Sequence, residues 1–398
     1  MGRVTTGSAG LLALALASAC SASNAAGADG GASPVAAPAN TTTVSVLPAN
    51  QAANIGTDET VIVAAPGGGT LKSVSVTGPG TTLAGVLSAD GTRWRSTRTA
   101  RPGTVYTVAV TTADGKRTTS TFTTVKATKT FEIEQITPHK NLTGLTVGVG
   151  MPIMIAFDRD ITDRVSVERN LFVSASKPVE GAWHWFDDRH VDFRPKAYWP
   201  AHTKVRLEAR LAGVRGGPGM YGKRDHVLDF RIGREQITKG STDTHYLTVR
   251  RDGKKIRDIP MSAGQGGVWK YHTTSGVHLA MSREPVTIMI SPGIGPGSPG
   301  YYRMTVYNTV RISNSGEYVH SAPWSVGSQG YSNVSHGCVN ISPTNASWFI
   351  KNTLIGDPII ITGTPRKLEP TNGWGHWQED WKQWLQWSSI KSGRTHAM

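Results

Sequence analysis

The sequence predicts a mainly β protein with two immunoglobulin-like β-sandwich domains, a third β-rich domain and a short helical extension at the C-terminus. Three observations lead to this class. The chain has 398 residues, more than one ordinary domain holds. Charged residues make up only 18% while glycine occurs 45 times, a balance that favours short strands joined by turns. Apolar and polar residues alternate with a period of two, as half-buried strands require.

Residues 1–19 are typical of a lipoprotein signal peptide. Arg3 supplies a positive end, and the apolar run "LLALALASAC" follows at 11–20. A run of this length is too short to span a membrane. Its last letters place small residues directly before Cys20, which predicts cleavage there and lipidation of Cys20. Ala17 departs from the leucine usual at that position, and ordinary secretory cleavage after an A-x-A-like site is the alternative. The protein is expected in the cell envelope, lipid-anchored to the outer face of the plasma membrane.

Residues 20–44 predict a disordered stalk, because they are Ala, Gly, Ser, Pro and Asn with almost no large side chains. The formal net charge of the chain is +14, which attracts polyanions. Nucleic acid is not an expected partner, since the chain is exported and has no basic run interleaved with aromatics. Anionic lipid head groups or cell-wall polymers fit better, and a cationic surface without a specific partner is the alternative.

Residues 45–127 predict the first immunoglobulin-like domain. Short alternating runs such as "VYTVAV" recur with turn residues every eight to twelve positions. Ala113-Asp114-Gly115-Lys116 lies between two β-rich runs and predicts a hairpin. No constellation of histidine, cysteine or carboxylates occurs here, so the domain is interpreted as a spacer.

Residues 128–236 predict the second immunoglobulin-like domain. "GAWHWFDDRHVDFRP" alternates Trp183 and Trp185 with polar residues, which indicates a sandwich core; carbohydrate binding by these tryptophans is the alternative. Asp187, Asp188 and His190 cluster in one turn. We interpret this turn as solvated rather than metal-binding, so no metal site is predicted.

Residues 237–366 predict the third domain, whose runs "GEYVH", "GCVNIS" and "DPIIITG" are typical of strands. Ser342-Pro343 predicts the start of one helix, as a cap followed by proline. Residues 367–398 hold five of the twelve tryptophans. Four of them have spacings of 3, 4 and 3, which predicts one apolar helix face docked on the third domain: Trp374, Trp377, Trp381 and Trp384. The mixed polar face fits an interfacial membrane helix less well.

Cys338 in "SHGCVN" is the only cysteine after Cys20 and the strongest candidate for chemistry. In an extended segment it shares a face with His336, and an imidazole beside a thiol activates it as a nucleophile. His320 is a second candidate base, brought near by a loop and a return strand. An inert buried thiol is the alternative, but an idle thiol outside the cell is prone to oxidation. No spacing here suits a zinc site.

The segment "VHSAPWSVGSQGYSNVSHGCVNIS", residues 319–342, resembles the active-site signature of L,D-transpeptidases of the YkuD type. The wider layout resembles the actinobacterial and mycobacterial members, with a lipoprotein-like start, immunoglobulin-like domains, a YkuD-type β-sandwich catalytic domain and a C-terminal extension. The resemblance implies a cysteine acyltransferase that needs no cofactor. It implies peptidoglycan stem peptides as substrates and carbapenems as inhibitors.

The resemblance also implies residue roles. Cys338 is the nucleophile and His320 the general base, whose ring is fixed by the backbone carbonyl of Ser321. The oxyanion and site-shaping residues are Gly337, with the Cys338 amide, and His336 and Ser335. The substrate-binding residues are Tyr302, Ser315, Gly316, Asn340, Trp324 and Met289. The segment 289–302 corresponds to the active-site flap and is shorter than in the family, which bears on the balance between transfer and hydrolysis.

The implied reaction is formation of 3→3 cross-links between diaminopimelate residues, with release of D-Ala from a tetrapeptide stem through a thioester. An L,D-carboxypeptidase on the same fold, with water in place of the amine, is the first alternative. A non-catalytic wall-binding lipoprotein is the second, although the completeness of the motif argues against it.

Overall fold

The structure, a computed structural model, describes residues 42–139, 146–291, 294–299, 301–391, 393 and 395–398. The predicted signal peptide, Cys20 and the stalk up to residue 41 lie outside the described residues. Of the helices in the described ranges, none has the length and apolarity that crossing a membrane requires. The described residues form 30 strands and three α-helices, and the predicted mainly β class is confirmed.

The first block of the fold is a two-sheet sandwich. Its nine strands are β1 Ser45–Leu47, β2 Ala52–Ile55, β3 Ile62–Ala64, β4 Leu71–Gly78, β5 Thr81–Thr82, β6 Gly85–Leu87, β7 Arg93–Ser96, β8 Val105–Thr112 and β9 Arg117–Thr124. The sheet orders are β1-β3-β7-β6 and β2-β9-β8-β4-β5. Both sheets contribute to one core, in which the rings of Tyr106 and Phe122 stack 5.2 Å apart. The predicted hairpin at 113–116 joins β8 to β9.

The second block adds strands and one short helix. They are β10 Lys129–Phe131, β11 Ile133–Thr137, β12 Thr146–Val147, β13 Ile153–Phe157, α1 Arg164–Glu168, β14 Leu171–Ala175, β15 Gly181–Trp185, β16 His190–Pro195, β17 Lys204–Ala209, β18 Arg215–Gly217, β19 Met220–Gly222 and β20 His226–Ile232. β11-β13-β16-β15 forms one sheet and β12-β20-β17-β14 another, with β10-β19-β18 as a small third sheet.

Trp183 and Trp185 lie in the core of this block, 4% and 1% exposed. Their indole N–H groups donate to Leu171 O and Glu168 Oε2. Because neither ring is accessible, the alternative of carbohydrate binding by these tryptophans is wrong. At the nearby turn, Asp187 accepts from the backbone of Arg189 and His190 and lies against the His190 ring, all at the surface.

The third block is a single nine-stranded sheet with a helix packed against it. Its elements are β21 Gln236–Ser241, β22 Tyr246–Arg251, β23 Lys254–Ser262, β24 Gly276–Leu279, β25 Ser282–Ile290, β26 Arg303–Arg311, β27 Tyr318–Ser321, β28 Val339–Ile341, α2 Pro343–Asn352 and β29 Pro358–Thr362. The order is β24-β29-β21-β22-β23-β28-β27-β26-β25. Helix α2 begins as predicted, with Ser342 as N-cap and Pro343 at the first turn, and it packs on β26 and β27.

The tryptophan-rich extension differs from the prediction. Helix α3 covers only Trp381–Gln386 and begins at a capping box formed by Asp380 and Gln383. Trp374 and Trp377 precede it in turns, so the four tryptophans do not share one helix face. The backbone before α3 shows where the helix is interrupted: Gly373, just before Trp374, has φ +90°, and the N-cap Asp380 is extended, with φ −67° and ψ 170°. No continuous helix therefore runs from Trp374 to Trp384.

The extension docks mainly on the second block rather than on the third. The Trp384 indole donates to Ala182 O over 2.9 Å, and the guanidinium of Arg194 lies 4.6 Å from the centre of its ring. A final short strand, β30 His396–Ala397, pairs with β14. Contacts with the third block include the Leu368 N–H to Ser275 O, Gln378 to Val277 O and two hydrogen bonds between Asn372 and Ser315. The prediction named the third block alone, whereas the extension ties the second and third blocks together.

Replacing Trp384 by alanine is expected to destabilise the protein by about 3–5 kcal/mol, because it empties a fully buried site and removes a hydrogen bond. Chemical unfolding monitored by circular dichroism measures the loss. Trp387, which is 57% exposed, is the matched control, and its alanine variant should lose far less. Equal losses for the two variants would contradict the docking described above.

Candidate active site

A cleft of about 760 Å³ opens on the third block and contains the candidate chemistry. Eleven of the twelve site residues predicted within this block line it: Cys338, His320, Gly337, His336, Ser335, Tyr302, Ser315, Gly316, Asn340, Trp324 and Met289. The twelfth, Ser321, is buried behind the cleft at the end of β27. The structure thus brings together residues that lie between positions 289 and 340 of the sequence.

The parallel pairing of β27 and β28 places the base and the nucleophile on neighbouring strands. His320 is in register with Asn340, and Val319 with Val339. Cys338 directly precedes β28, beside Tyr318 at the start of β27. The long connection 322–338 carries the chain from one strand to the next in the same direction, as a parallel pair requires.

His320 is held as a neutral imidazole with a defined tautomer. Its side chain is 3% exposed, and Nδ1 lies 2.9 Å from the carbonyl oxygen of Ser321. Because a carbonyl only accepts, Nδ1 carries the hydrogen and Nε2 is the basic nitrogen. Burial lowers the pKa of His320 below its usual 6.5, so the ring is neutral near pH 7. No carboxylate is needed to orient this ring, since a backbone group does so.

The thiol of Cys338 is protonated in the resting site. Burial, helped by the negative charge of Glu317, raises the pKa of the Cys338 thiol to about 12, and a hydrogen bond from the Tyr318 backbone only partly offsets this. The thiol points at Gly316 O, 3.6 Å away. A thiol in this state is a poor nucleophile until a base removes its proton.

The turn Ser335–Cys338 differs from the extended segment that the sequence predicted. Gly337 has φ +126°, which breaks the alternation, and β28 begins only at Val339. His336 is exposed while Cys338 is half-buried, so the two side chains do not share a strand face. Only glycine adopts this backbone readily, which explains its place beside the nucleophile.

Ser335 closes this turn with its hydroxyl. Ser335 Oγ donates to Cys338 O over 2.5 Å and accepts from the Gly337 amide over 3.1 Å. The expectation that the Gly337 amide faces an oxyanion is therefore wrong for this conformation, because that N–H already has an acceptor. Thr273 holds the turn from the other side, donating to Gly337 O over 2.7 Å.

Aromatic rings form one wall of the cleft. His336 stacks on Tyr302 at a centroid distance of 5.9 Å and an interplanar angle of 11°, and it contacts Tyr271 at 4.5 Å. Trp324 lies 6.0 Å from the ring of His320 and is 54% exposed. Burial raises the pKa of Tyr302, so its phenol stays protonated near neutral pH. This wall offers flat, partly apolar surface to a peptide.

The remaining predicted residues surround the two reactive groups. Asn340 is buried and donates to Ser325 Oγ over 3.1 Å. Ser315 is bound by Asn372 of the extension. Met289 lies near the end of β25, which pairs with β26 as a hairpin, and the predicted flap occupies the connection between these strands. Pro292, Gly293 and Gly300 of the flap lie outside the described residues.

Sequence reasoning missed several lining residues. Lys270 and Arg366 bring positive charge to the cleft, and the Arg366 guanidinium donates to Lys270 O. Nothing in the sequence marks them, because they are distant from the signature. Glu317 was missed although a signal existed: it is the one acidic residue in the strand-like run "GEYVH" that ends in His320. Within the described ranges, no group of three or more His, Cys, Asp or Glu residues is arranged to hold a metal ion.

Known proteins are similar to this chain over most of its length. The chain is 35% identical over 335 residues to L,D-transpeptidase 5 of Mycobacterium tuberculosis, covering 81% of this chain and 72% of that protein. It is 35% identical over 338 residues to L,D-transpeptidase 2 of the same species, covering 84% and 81%. The chain belongs to the L,D-transpeptidase family. Residues 238–361 match the L,D-transpeptidase catalytic domain, and residues 52–215 match a bacterial Ig domain.

Solved L,D-transpeptidase structures also align with the chain. One in complex with imipenem has a TM-score of 0.49 and 36% identity, covering 58% of this chain and 99% of that one. L,D-transpeptidase 3 from M. tuberculosis, with a faropenem-derived adduct, has a TM-score of 0.47 and 31% identity, covering 58% and 98%. The protein is thus an L,D-transpeptidase, an enzyme of peptidoglycan whose family places it in the cell envelope.

Proposed function

We propose that this L,D-transpeptidase makes 3→3 peptidoglycan cross-links through a thioester on Cys338. The observation that carries the proposal is the pairing of a protonated thiol with a neutral imidazole of fixed tautomer in one cleft. The thiol needs a base because its pKa is raised to about 12. His320 suits that role because its lowered pKa leaves Nε2 unprotonated near pH 7.

In the proposed acylation, one proton moves from the thiol to His320 and then to the leaving amine. His320 Nε2 takes the thiol proton while Sγ bonds to the donor carbonyl carbon of a tetrapeptide stem. The tetrahedral intermediate collapses, the bond to D-Ala breaks, and the imidazolium returns the proton to the departing amine. The Cys338 amide is the candidate oxyanion donor, since Gly337 donates to Ser335.

Transfer then reverses these steps with a second stem. The amine of an acceptor diaminopimelate attacks the thioester while His320 Nε2 takes its proton. Sγ leaves and is reprotonated, which regenerates the thiol. Tyr302 and His336 form a wall against which the acyl chain packs, and Trp324 and Met289 extend that surface. Met289 and Tyr302, at the two ends of the flap, line the cleft and would shield the thioester from water.

The test is a reaction of the purified protein with a disaccharide-tetrapeptide. Release of D-Ala with a cross-linked dimer, read by product mass, supports the proposal. Release of D-Ala with only a tripeptide product would instead assign an L,D-carboxypeptidase. Absence of both products, with amidated and with free stems, would contradict catalysis on this substrate and favour a wall-binding role.

Two further parts of the proposal concern inhibitors and location. A carbapenem presents a strained carbonyl to the same thiol, so we expect it to acylate Cys338. We also propose that Cys20 is lipidated and anchors the enzyme to the outer face of the plasma membrane. Metabolic labelling with a fatty-acid analogue tests the anchor, and a Cys20→Ala variant should lose the label.

The pH dependence of acylation follows from the state of His320. The base must be neutral, and its pKa lies below 6.5, so acylation should persist below pH 6.5 and fall only as the pH passes through the lowered value. Rates of carbapenem acylation measured across acidic pH check this. A midpoint at or above 6.5 would contradict the buried, neutral histidine.

A further inference from the structure

A buried carboxylate lies directly behind the nucleophile and has no part in the reaction described above. Glu317 is 4% exposed. Its Oε1 accepts from the backbone N–H of Thr274, and its Oε2 accepts from the Thr274 hydroxyl, both over 2.7 Å. A buried carboxylate of this kind requires a compensating positive charge or several hydrogen bonds.

The two hydrogen bonds from Thr274 compensate the burial of Glu317, and His278 lies on the other side of Thr274. The His278 side chain is fully buried on β24, with Nδ1 3.1 Å from Ile312 O and Nε2 2.9 Å from Thr274 O. Thr274 thus links the two buried side chains, because its hydroxyl donates to Glu317 while its carbonyl oxygen contacts the His278 ring.

The same carboxylate is joined to both segments that hold the thiol. Glu317 separates Gly316, whose carbonyl faces Cys338 Sγ at 3.6 Å, from Tyr318. A Cβ at Gly337 would have Glu317 Cγ as its nearest neighbour, at 3.9 Å. The residue next to Thr274, Thr273, donates to Gly337 O. By binding Thr274, Glu317 therefore fixes two segments: the turn before the nucleophile, through Thr273, and the start of β27, which directly follows Glu317.

We propose that Glu317 is a positioning residue for Cys338, held in place by the backbone N–H and the hydroxyl of Thr274. The inference rests on the proposed function of Cys338 as nucleophile. The charge of Glu317 also disfavours the thiolate, and so raises the pKa of Cys338 beyond the effect of burial. The other titratable and charged groups that line the cleft around the thiol are His320, Tyr318, Tyr302, His336, Lys270 and Arg366.

Glu317→Gln in the full chain separates the two effects of this residue. Loss of the negative charge lowers the thiol pKa, so alkylation by iodoacetamide should become about three- to tenfold faster between about pH 8 and about pH 10. Loss of positioning should slow carbapenem acylation by about 10- to 100-fold. A residue that served stability alone would not move the two rates in opposite directions. Asp258→Asn is the control, since that surface carboxylate also accepts from a threonine, Thr248.

Thr274→Val provides a second variant, which keeps the carboxylate of Glu317 and removes only the hydroxyl that binds it. It should slow acylation without speeding alkylation. If Glu317→Gln does not fold, the acylation rate of Thr274→Val alone tests the positioning role of Glu317. The inference is overturned if Glu317→Gln leaves both rates unchanged, or if Thr274→Val acylates at the wild-type rate. If wild-type protein forms no adduct at all, the proposed function fails instead, so the two failures are distinct.

Discussion

Cys338→Ala is expected to reduce D-Ala release and cross-linking to below about 10⁻⁴ of the wild-type rate, because it removes the atom that forms the thioester. The protein should no longer gain mass with a carbapenem. Rates come from D-Ala release on a disaccharide-tetrapeptide, and adducts come from intact mass. The fold should survive, since Cys338 lies in a turn at the edge of the cleft rather than in the core cluster of the third block.

Thermal unfolding and binding to isolated cell wall are the controls for this variant, and both should match the wild type. Cys338→Ser is a useful companion, because its hydroxyl keeps the size of the side chain with far weaker nucleophilicity. Substantial turnover by Cys338→Ala would exclude a thioester mechanism at this position.

His320→Ala should lower the acylation rate by about 10²- to 10⁴-fold, the usual contribution of a positioned general base. The thiol pKa of about 12 leaves almost no thiolate at neutral pH, so Cys338 depends on a base to remove its proton. Stopped-flow measurement of carbapenem acylation gives the rate. Raising the pH should partly restore the acylation rate of this variant, because hydroxide then deprotonates a larger fraction of the Cys338 thiol in place of the imidazole.

His336 provides the contrast for this prediction. It is the immediate neighbour of the nucleophile in sequence, yet its ring is exposed and stacks on Tyr302. A conservative His336→Asn substitution should therefore cost less than about tenfold in acylation, as expected for a residue that shapes the site without moving the proton. Equal losses for His320 and His336 would contradict the assignment of the base.

Much of the fold was predictable because its signals are local. The hairpin at 113–116 and the start of α2 at Ser342-Pro343 depend on residues adjacent in sequence. The extension was not, because the tryptophan spacing favours a long helix while the backbone is extended at Asp380, between Trp377 and Trp381. The signal for the true start of α3 was present at Asp380 and Gln383, a capping box.

The site was predictable through its signature and less so through elementary geometry. Side chains two residues apart in a strand lie on the same face, which predicted that His336 and Cys338 share one. The positive φ of Gly337 interrupts the strand geometry, so this prediction does not hold. The sequence did not indicate the link between Glu317 and His278, because that link runs through Thr274. Thr274 lies far in sequence from the signature at 319–342. Such tertiary relations are set by packing, which periodicity does not encode.

Intact mass after incubation with a carbapenem, with the adduct mapped by peptide digestion, shows whether Cys338 is the acylated nucleophile. We expect one adduct per chain, located on the peptide that contains Cys338 and absent from Cys338→Ala. An adduct on another residue, or an unchanged mass for folded wild-type protein, would contradict it.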